Sequence, residues 1–150
     1  MDVILWRHAE AEEGGVDMPD YDRKLTARGR KQAKQVARWL EPRLPKYATV
    51  YASPARRTQE TARALVKKFE TLDALGTEAT AAAMLKAVGW SRGKKTVVIV
   101  GHQPSLGHVA AKLLSGKPTP LTIKKGALWW FSQREPNEVL LLAVVSPETL

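Results

Sequence analysis

Thr96-Val97-Val98-Ile99-Val100 is the stretch that most narrows what this chain can become. It is β-branched throughout and shows no polar alternation, so the strand it forms must be covered on both faces. Val3-Ile4-Leu5 reads the same way. Strands buried on both faces belong to parallel sheets flanked by helices, and the intervening segments supply the helices. Ala33, Val36, Ala37 and Leu40 recur at helical spacing behind Thr26, a good N-cap. Ala62, Leu65, Val66 and Phe69 mark the apolar face of a second helix, which Ser53-Pro54 should open as capping serine and first-turn proline. An alanine-rich helix over 78–89 turns Met84, Leu85 and Val88 inward, and a fourth runs from Leu106 to Leu114. Thr49–Ala52 reads as a further strand, residues 70–78 as a short strand and loop, and Ala127–Ser132 with Val139–Val145 as a strand pair around a turn at Gln133–Asn137. The expected fold is α/β: a three-layer α/β/α sandwich with a mostly parallel sheet and one antiparallel strand, a single domain over residues 1–150.

Composition removes several classes of function. There is no cysteine, so disulfides, zinc–cysteine sites and thiol nucleophiles are excluded. No apolar stretch reaches membrane-spanning length and Asp2 argues against a secretory signal, so a cytoplasmic location is the expectation. The net charge of +9 invites a nucleic-acid reading. Against it, Arg28, Arg30, Lys31, Lys34 and Arg38 fall on one helix whose other face is apolar, and no nucleic-acid-binding motif accompanies them. They read as a solvated face, and an acidic or phosphorylated protein partner suits the same charge.

Chemistry concentrates where the strands end. In open α/β sheets, ligands bind at the carboxyl edge of the strands, and three predicted strands end there in reactive or anion-binding residues. The first strand runs into Arg7-His8-Ala9, the second into Ser53-Pro54-Ala55-Arg56-Arg57, and the third into Gly101-His102-Gln103-Pro104. A helix N-terminus and a guanidinium both favour phosphate oxygens. Taken singly, each ending has an ordinary structural reading: a satisfied polar strand end, paired surface arginines, a core histidine. His108 lies inside a predicted helix and reads as structural or surface. Trp6 should pack beneath the pocket, and Trp129 and Trp130 should face opposite sides of the sheet.

Taken as an ordered set, Leu5-Trp6-Arg7-His8-Ala9, Ser53-Pro54 with Arg57 and Thr61-Ala62, and Gly101-His102-x-Pro-x-Leu resemble the histidine phosphatase superfamily, the phosphoglycerate mutase-like fold. Arg-His-Ala and Arg23-x-Leu25-Thr26-x-x-Gly29 look like its SixA-type branch, the phosphohistidine phosphatases. The resemblance implies a catalytic set of His8, Arg7, Arg57 and His102. His8 would be the nucleophile, Arg7 and Arg57 would hold phosphate oxygens, His102 would complete the pocket, and Arg23 would be a substrate contact at its rim. It implies removal of phosphoryl groups from protein phosphohistidine through a covalent phosphohistidine on His8, then hydrolysis, with no metal or cofactor. Glu60 stands where glutamine is common and is expected to pair with an arginine. The alternatives are a small-molecule phosphomonoesterase using Glu78 or Asp73 as general acid, or a non-catalytic phosphate- or phosphoprotein-binding module. The expected partner is a phosphorylated protein or small molecule, neither nucleic acid nor membrane, and the sequence leaves the oligomeric state open, a monomer included.

Overall fold

The computed structural model describes residues 1–150. The two apolar runs form β1 (Asp2–Arg7) and β4 (Thr96–Gly101), which pair side by side at the centre of the sheet. Around them lie β2 (Thr49–Ala52), β3 (Glu70–Thr71), β5 (Leu128–Glu135) and β6 (Glu138–Val145), giving six strands in the order β3-β2-β4-β1-β5-β6. Only β5 runs against the rest: the β1–β4, β2–β4 and β2–β3 pairs are parallel, whereas β5 is antiparallel to both β1 and β6.

Side chains alternate across the sheet and so build two cores. Ile4 and Trp6 pack with Val36, Ala37 and Leu40 of α1 (Ala27–Leu40) and Ala62 of α2 (Arg56–Arg63). Val3 and Leu5 turn the other way, onto Met84 and Leu85 of α3 (Ala81–Ala87) and Leu106, Val109 and Ala110 of α4 (Ser105–Ser115). Burying each such aliphatic side chain is worth about 1.5–3 kcal/mol, so the β1–β4 pair is a stiff base for whatever projects beyond it. Trp129 and Trp130 pack toward opposite cores.

The helix starts follow local chemistry, with one correction. Thr26 caps α1 as expected, its hydroxyl accepting from the Gly29 N–H, and Thr80 caps α3 in the same way. Ser53 caps nothing. α2 begins at Arg56 behind Ala55, which offers no side-chain cap. Ser53 is wholly buried and its hydroxyl is engaged elsewhere, as described below. α2 is also shorter than the apolar spacing implied: Leu65, Val66 and Phe69 lie beyond its end and still pack, partly buried, on the α1/α2 core. Glu78 precedes α3 rather than opening it.

Gly29 allows α1 to touch the chain leaving β1. A Cβ there would fall on the Glu10 carbonyl oxygen. The cations Arg28, Arg30, Lys31, Lys34 and Arg38 on α1 are all exposed, as a solvated face requires. No helix is long and apolar enough to cross a membrane.

Candidate active site

Strand register assembles the site. Arg7 sits opposite Gly101 across the parallel β1–β4 pair, so His8 and His102, each one residue past its strand, leave the sheet side by side. Their ring centroids are 5.4 Å apart, inclined at 58°. Ala52 pairs with Val100, which brings Ser53 level with Gly101 and next to His102.

His8 is 7% exposed, and its Nδ1–H donates to the Ala9 carbonyl at 2.7 Å. That bond fixes the tautomer and leaves the lone pair on Nε2. Burial pushes the His8 pKa down to about 3. The Ala9 bond opposes the shift, and the neighbouring His102, Arg57 and Arg7 add to it. The ring is therefore neutral at any physiological pH, as a nucleophile must be.

His102 is held by Ser53, with Nε2 2.8 Å from Oγ. The Ser53 hydroxyl accepts the Ala55 N–H at 3.2 Å and meets no other acceptor, so we assign its proton to His102 Nε2. The ring proton of neutral His102 then resides on Nδ1. Burial, then Arg57, lowers its pKa to about 4, with Asp20 opposing and Arg7 and Arg23 adding smaller effects.

Two guanidinium groups complete the cluster. Arg57, 4% exposed, donates from Nη1 to the Asp20 carbonyl at 2.7 Å and from Nη2 to the Asp20 carboxylate at 3.0 Å. Arg7 donates from Nη1 to the Ile123 carbonyl at 2.9 Å. Burial lowers the pKa of Arg7, yet a guanidinium keeps its charge in proteins. Thr61 ties the pieces together: its hydroxyl accepts the Ala9 N–H at 3.1 Å and donates to the Arg57 carbonyl at 2.8 Å. Trp6 lies wholly buried behind His8, its indole N–H on the Gly126 carbonyl at 3.0 Å.

Buried polar atoms are nearly always hydrogen-bonded, so an exception calls for an explanation. Three buried side-chain atoms lack a partner: Arg7 Nε, Arg57 Nε and His102 Nδ1. The two guanidinium nitrogens are donors, His102 Nδ1 is one in the tautomer assigned above, and all three belong to this cluster. Unsatisfied donors, two permanent cations and a neutral imidazole with a free lone pair make a receptor for a tetrahedral oxyanion beside a nucleophile.

The structure thus brings Arg7, His8, Arg57 and His102 together, with Arg23 at the edge. Arg23 is bound to Asp20 at 3.0 Å and to the Glu12 carbonyl at 2.7 Å. The acidic candidates make no bond to the cluster. Glu78 and Asp73 are exposed, and no hydrogen bond or ion pair links either to the cluster. Glu78 instead lines a groove with Pro104, His108 and Lys112. Glu60 accepts the Leu25 N–H at 2.8 Å and pairs with Arg56 at 2.8 Å, as expected of a structural carboxylate.

The carboxylate that does reach the cluster is Asp20, in a loop that the sequence marks only as polar. Burial works to raise its pKa, but hydrogen bonds from Arg23 and Arg57 outweigh this and hold it below the usual carboxylate range. The one sequence hint was Asp20 standing three residues before Arg23; nothing tied it to Arg57, 37 positions on.

Comparison with known proteins identifies the family of the chain. Residues 3–80 match the model of the histidine phosphatase superfamily, branch 1. The phosphohistidine phosphatase SixA homolog of Haemophilus influenzae is 31% identical over 137 residues, 81% of this chain and 82% of that protein. Phosphohistidine phosphatase SixA of Escherichia coli is 27% identical over 130 residues, 81% and 79% of the two chains. Among solved structures, the protein histidine phosphatase SixA complexed with tungstate aligns with a TM-score of 0.78 at 24% identity over 99% of both chains. A phosphoserine phosphatase mutant of Entamoeba histolytica in complex with phosphoserine aligns with a TM-score of 0.74 at 18% identity, over 99% of this chain and 98% of that one. These two structural likenesses are likenesses of fold.

Proposed function

This chain belongs to the histidine phosphatase superfamily, and from that premise we propose that it removes the phosphoryl group from phosphohistidine in a protein substrate, through a phosphorylated His8. The observation that carries the reading is the set of three unpartnered buried donors on Arg7, Arg57 and His102, gathered beside a neutral His8.

In the first step the His8 Nε2 lone pair attacks phosphorus in line as the P–N bond to the substrate imidazole breaks. The bonding pair returns to the substrate nitrogen. A substrate ring protonated on its other nitrogen departs as neutral imidazole and needs no acid. Arg7, Arg57 and the Nδ1–H of His102 hold the equatorial oxygens as charge redistributes. Water then attacks the phosphorus of phospho-His8, the Nε2–P bond breaks, and the imidazole and inorganic phosphate are released. Arg23 contacts substrate at the rim.

An alkoxide leaving group, by contrast, calls for a proton donor. Asp20 is held ionised by its arginines and is a poor one, and no hydrogen bond or ion pair ties the exposed Glu78 and Asp73 to the cluster. This favours a P–N over a P–O substrate. The reading places the protein in the cytoplasm, with a phosphorylated protein as partner.

Acid-quenched and base-quenched trapping with a phosphohistidine peptide tests it. The expected result is a base-stable, acid-labile phosphoryl group on His8, and a loss of turnover of more than about a thousandfold in His8→Ala. Turnover that survives His8→Ala would remove His8 from its role, and tight phosphate binding without turnover in the wild type would make the protein a binding module.

A further inference from the structure

A second feature of the surface lies between α1 and α2. α1, α2 and the residues leading into α1 enclose a groove of about 430 Å³. Its floor is apolar (Leu25, Ala33 and Ala64) and its walls carry five cations, Lys24, Arg30, Lys34, Arg56 and Arg63, against the single carboxylate of Glu60. That carboxylate is already spent on the Leu25 N–H and on Arg56. Lys24 reaches Glu12 only at 3.8 Å, while Lys34 and Arg63 have no acidic partner. All five cations are exposed. Like charges gathered on one short groove repel one another, and Glu60 and Glu12 offset only part of that repulsion.

The groove and the candidate active site draw on adjoining residues of two segments. Arg57 points into the cluster while its neighbour Arg56 lines the groove; Arg23 holds Asp20 at the rim of the cluster while its neighbour Lys24 lines the groove. The chain segments that line the groove thus continue directly into those that carry Arg57 and Arg23.

We propose that this groove docks an acidic, partly apolar segment of the phosphorylated protein substrate and so presents its phosphohistidine to His8. The identity of the occupant as substrate rests on the phosphohistidine reading of the site; the preference for an acidic chain rests on the groove itself. The long, exposed cations around an apolar floor match a peptide that alternates carboxylates with aliphatic side chains. Single-stranded nucleic acid is disfavoured because the lining holds no aromatic residue on which a base could stack. The groove is also far larger than a phosphate ion, and its cations are not focused on one point.

The test uses two synthetic phosphohistidine peptides of equal length, one flanked by Asp, Glu and Leu, the other by Lys and Leu, with phosphoramidate as a flankless substrate. At low salt the wild type should favour the acidic peptide by about tenfold or more in kcat/KM, mainly through KM, and salt should erase the preference. The Lys34→Glu/Arg63→Glu double variant should lose the preference and keep its activity on phosphoramidate. Lys34→Gln/Arg63→Gln, a milder surface change, should fall between. No preference in the wild type, or an equal loss on phosphoramidate in folded variants, would overturn the docking role. Should the wild type hydrolyse none of the three, the proposed reaction fails and the groove is judged by binding alone. Fluorescence anisotropy with the unphosphorylated acidic peptide then decides it: binding lost in the double variant sustains the groove, and absence of binding ends the proposal. Tighter binding of a labelled single-stranded oligonucleotide that displaces the peptide would reassign it to nucleic acid.

Discussion

Asp20 shows how one residue sets the resting state of the pocket. Its backbone carbonyl and its carboxylate together occupy both terminal nitrogens of Arg57, leaving only Nε without a partner. A bound phosphoryl group competes for the same fork, and a carboxylate at that position repels it. Asp20→Asn keeps the size and much of the hydrogen bonding while removing the charge. The inhibition constant for inorganic phosphate should then fall about fivefold, the effect of roughly 1 kcal/mol of relieved repulsion at a partly exposed site. Weaker phosphate binding in Asp20→Asn would instead mean that the carboxylate holds Arg57 in its productive position. Ser53 has a comparable role on the other side of the cluster. With its proton assigned to His102 Nε2, the ring proton falls on Nδ1, where an oxyanion can use it.

Among the elements, the parallel register of β1 and β4 matters most, since a slip of one residue would separate His8 from His102. The tie from the end of β1 to α2 runs through the Thr61 hydroxyl, which serves the Ala9 N–H and the Arg57 carbonyl at once. Thr61→Val conserves shape but leaves a buried N–H without an acceptor. It should lower stability by about 1–3 kcal/mol in urea denaturation, and Thr61→Ser should recover most of that; equal stability of the Val variant would mean the tie is idle. The strands and α1 were legible in the sequence because β-branched runs and helical spacing report burial directly. So were the four residues at the strand ends, through their place at the carboxyl edge and their ordered resemblance to a family. Two things were not. Ser53-Pro54 has the local signature of a helix cap, but the buried serine satisfies a histidine 49 residues away, and local propensity gave way to that long-range contact. Asp20 sits in a polar loop whose composition is the same whether or not it touches an arginine across the fold.

The whole molecule carries +9 and buries two neutral histidines at its site, and both facts bear on how it meets acid. Folded His8 and His102 have pKa values near 3 and 4, far below the ordinary 6.5 they regain on unfolding. Between those limits the unfolded chain binds protons at both positions and the folded chain binds none, so stability rises with pH across the window and is lost as pH falls below about 6.5. Each histidine contributes a slope of up to about 1.4 kcal/mol per pH unit, hence a loss of about 2 kcal/mol apiece between pH 7 and pH 5. Against a typical stability of about 5–15 kcal/mol this is a large share. The depressed carboxyl of Asp20 acts in a lower window, since its contribution is present above the ordinary carboxylate pKa and is lost only beneath it. Urea denaturation in phosphate-free buffer at pH 7, 6 and 5 should show the wild type losing about 4 kcal/mol over this range, and His8→Asn about half as much. The same variant should also lose part of the extra stability that inorganic phosphate confers on the wild type, because the ligand adds stability only in proportion to its affinity for the folded site. An acid slope equal in wild type and His8→Asn would mean that His8 titrates in the folded protein as it does in the unfolded chain, and the burial that holds its ring neutral would be removed from the account.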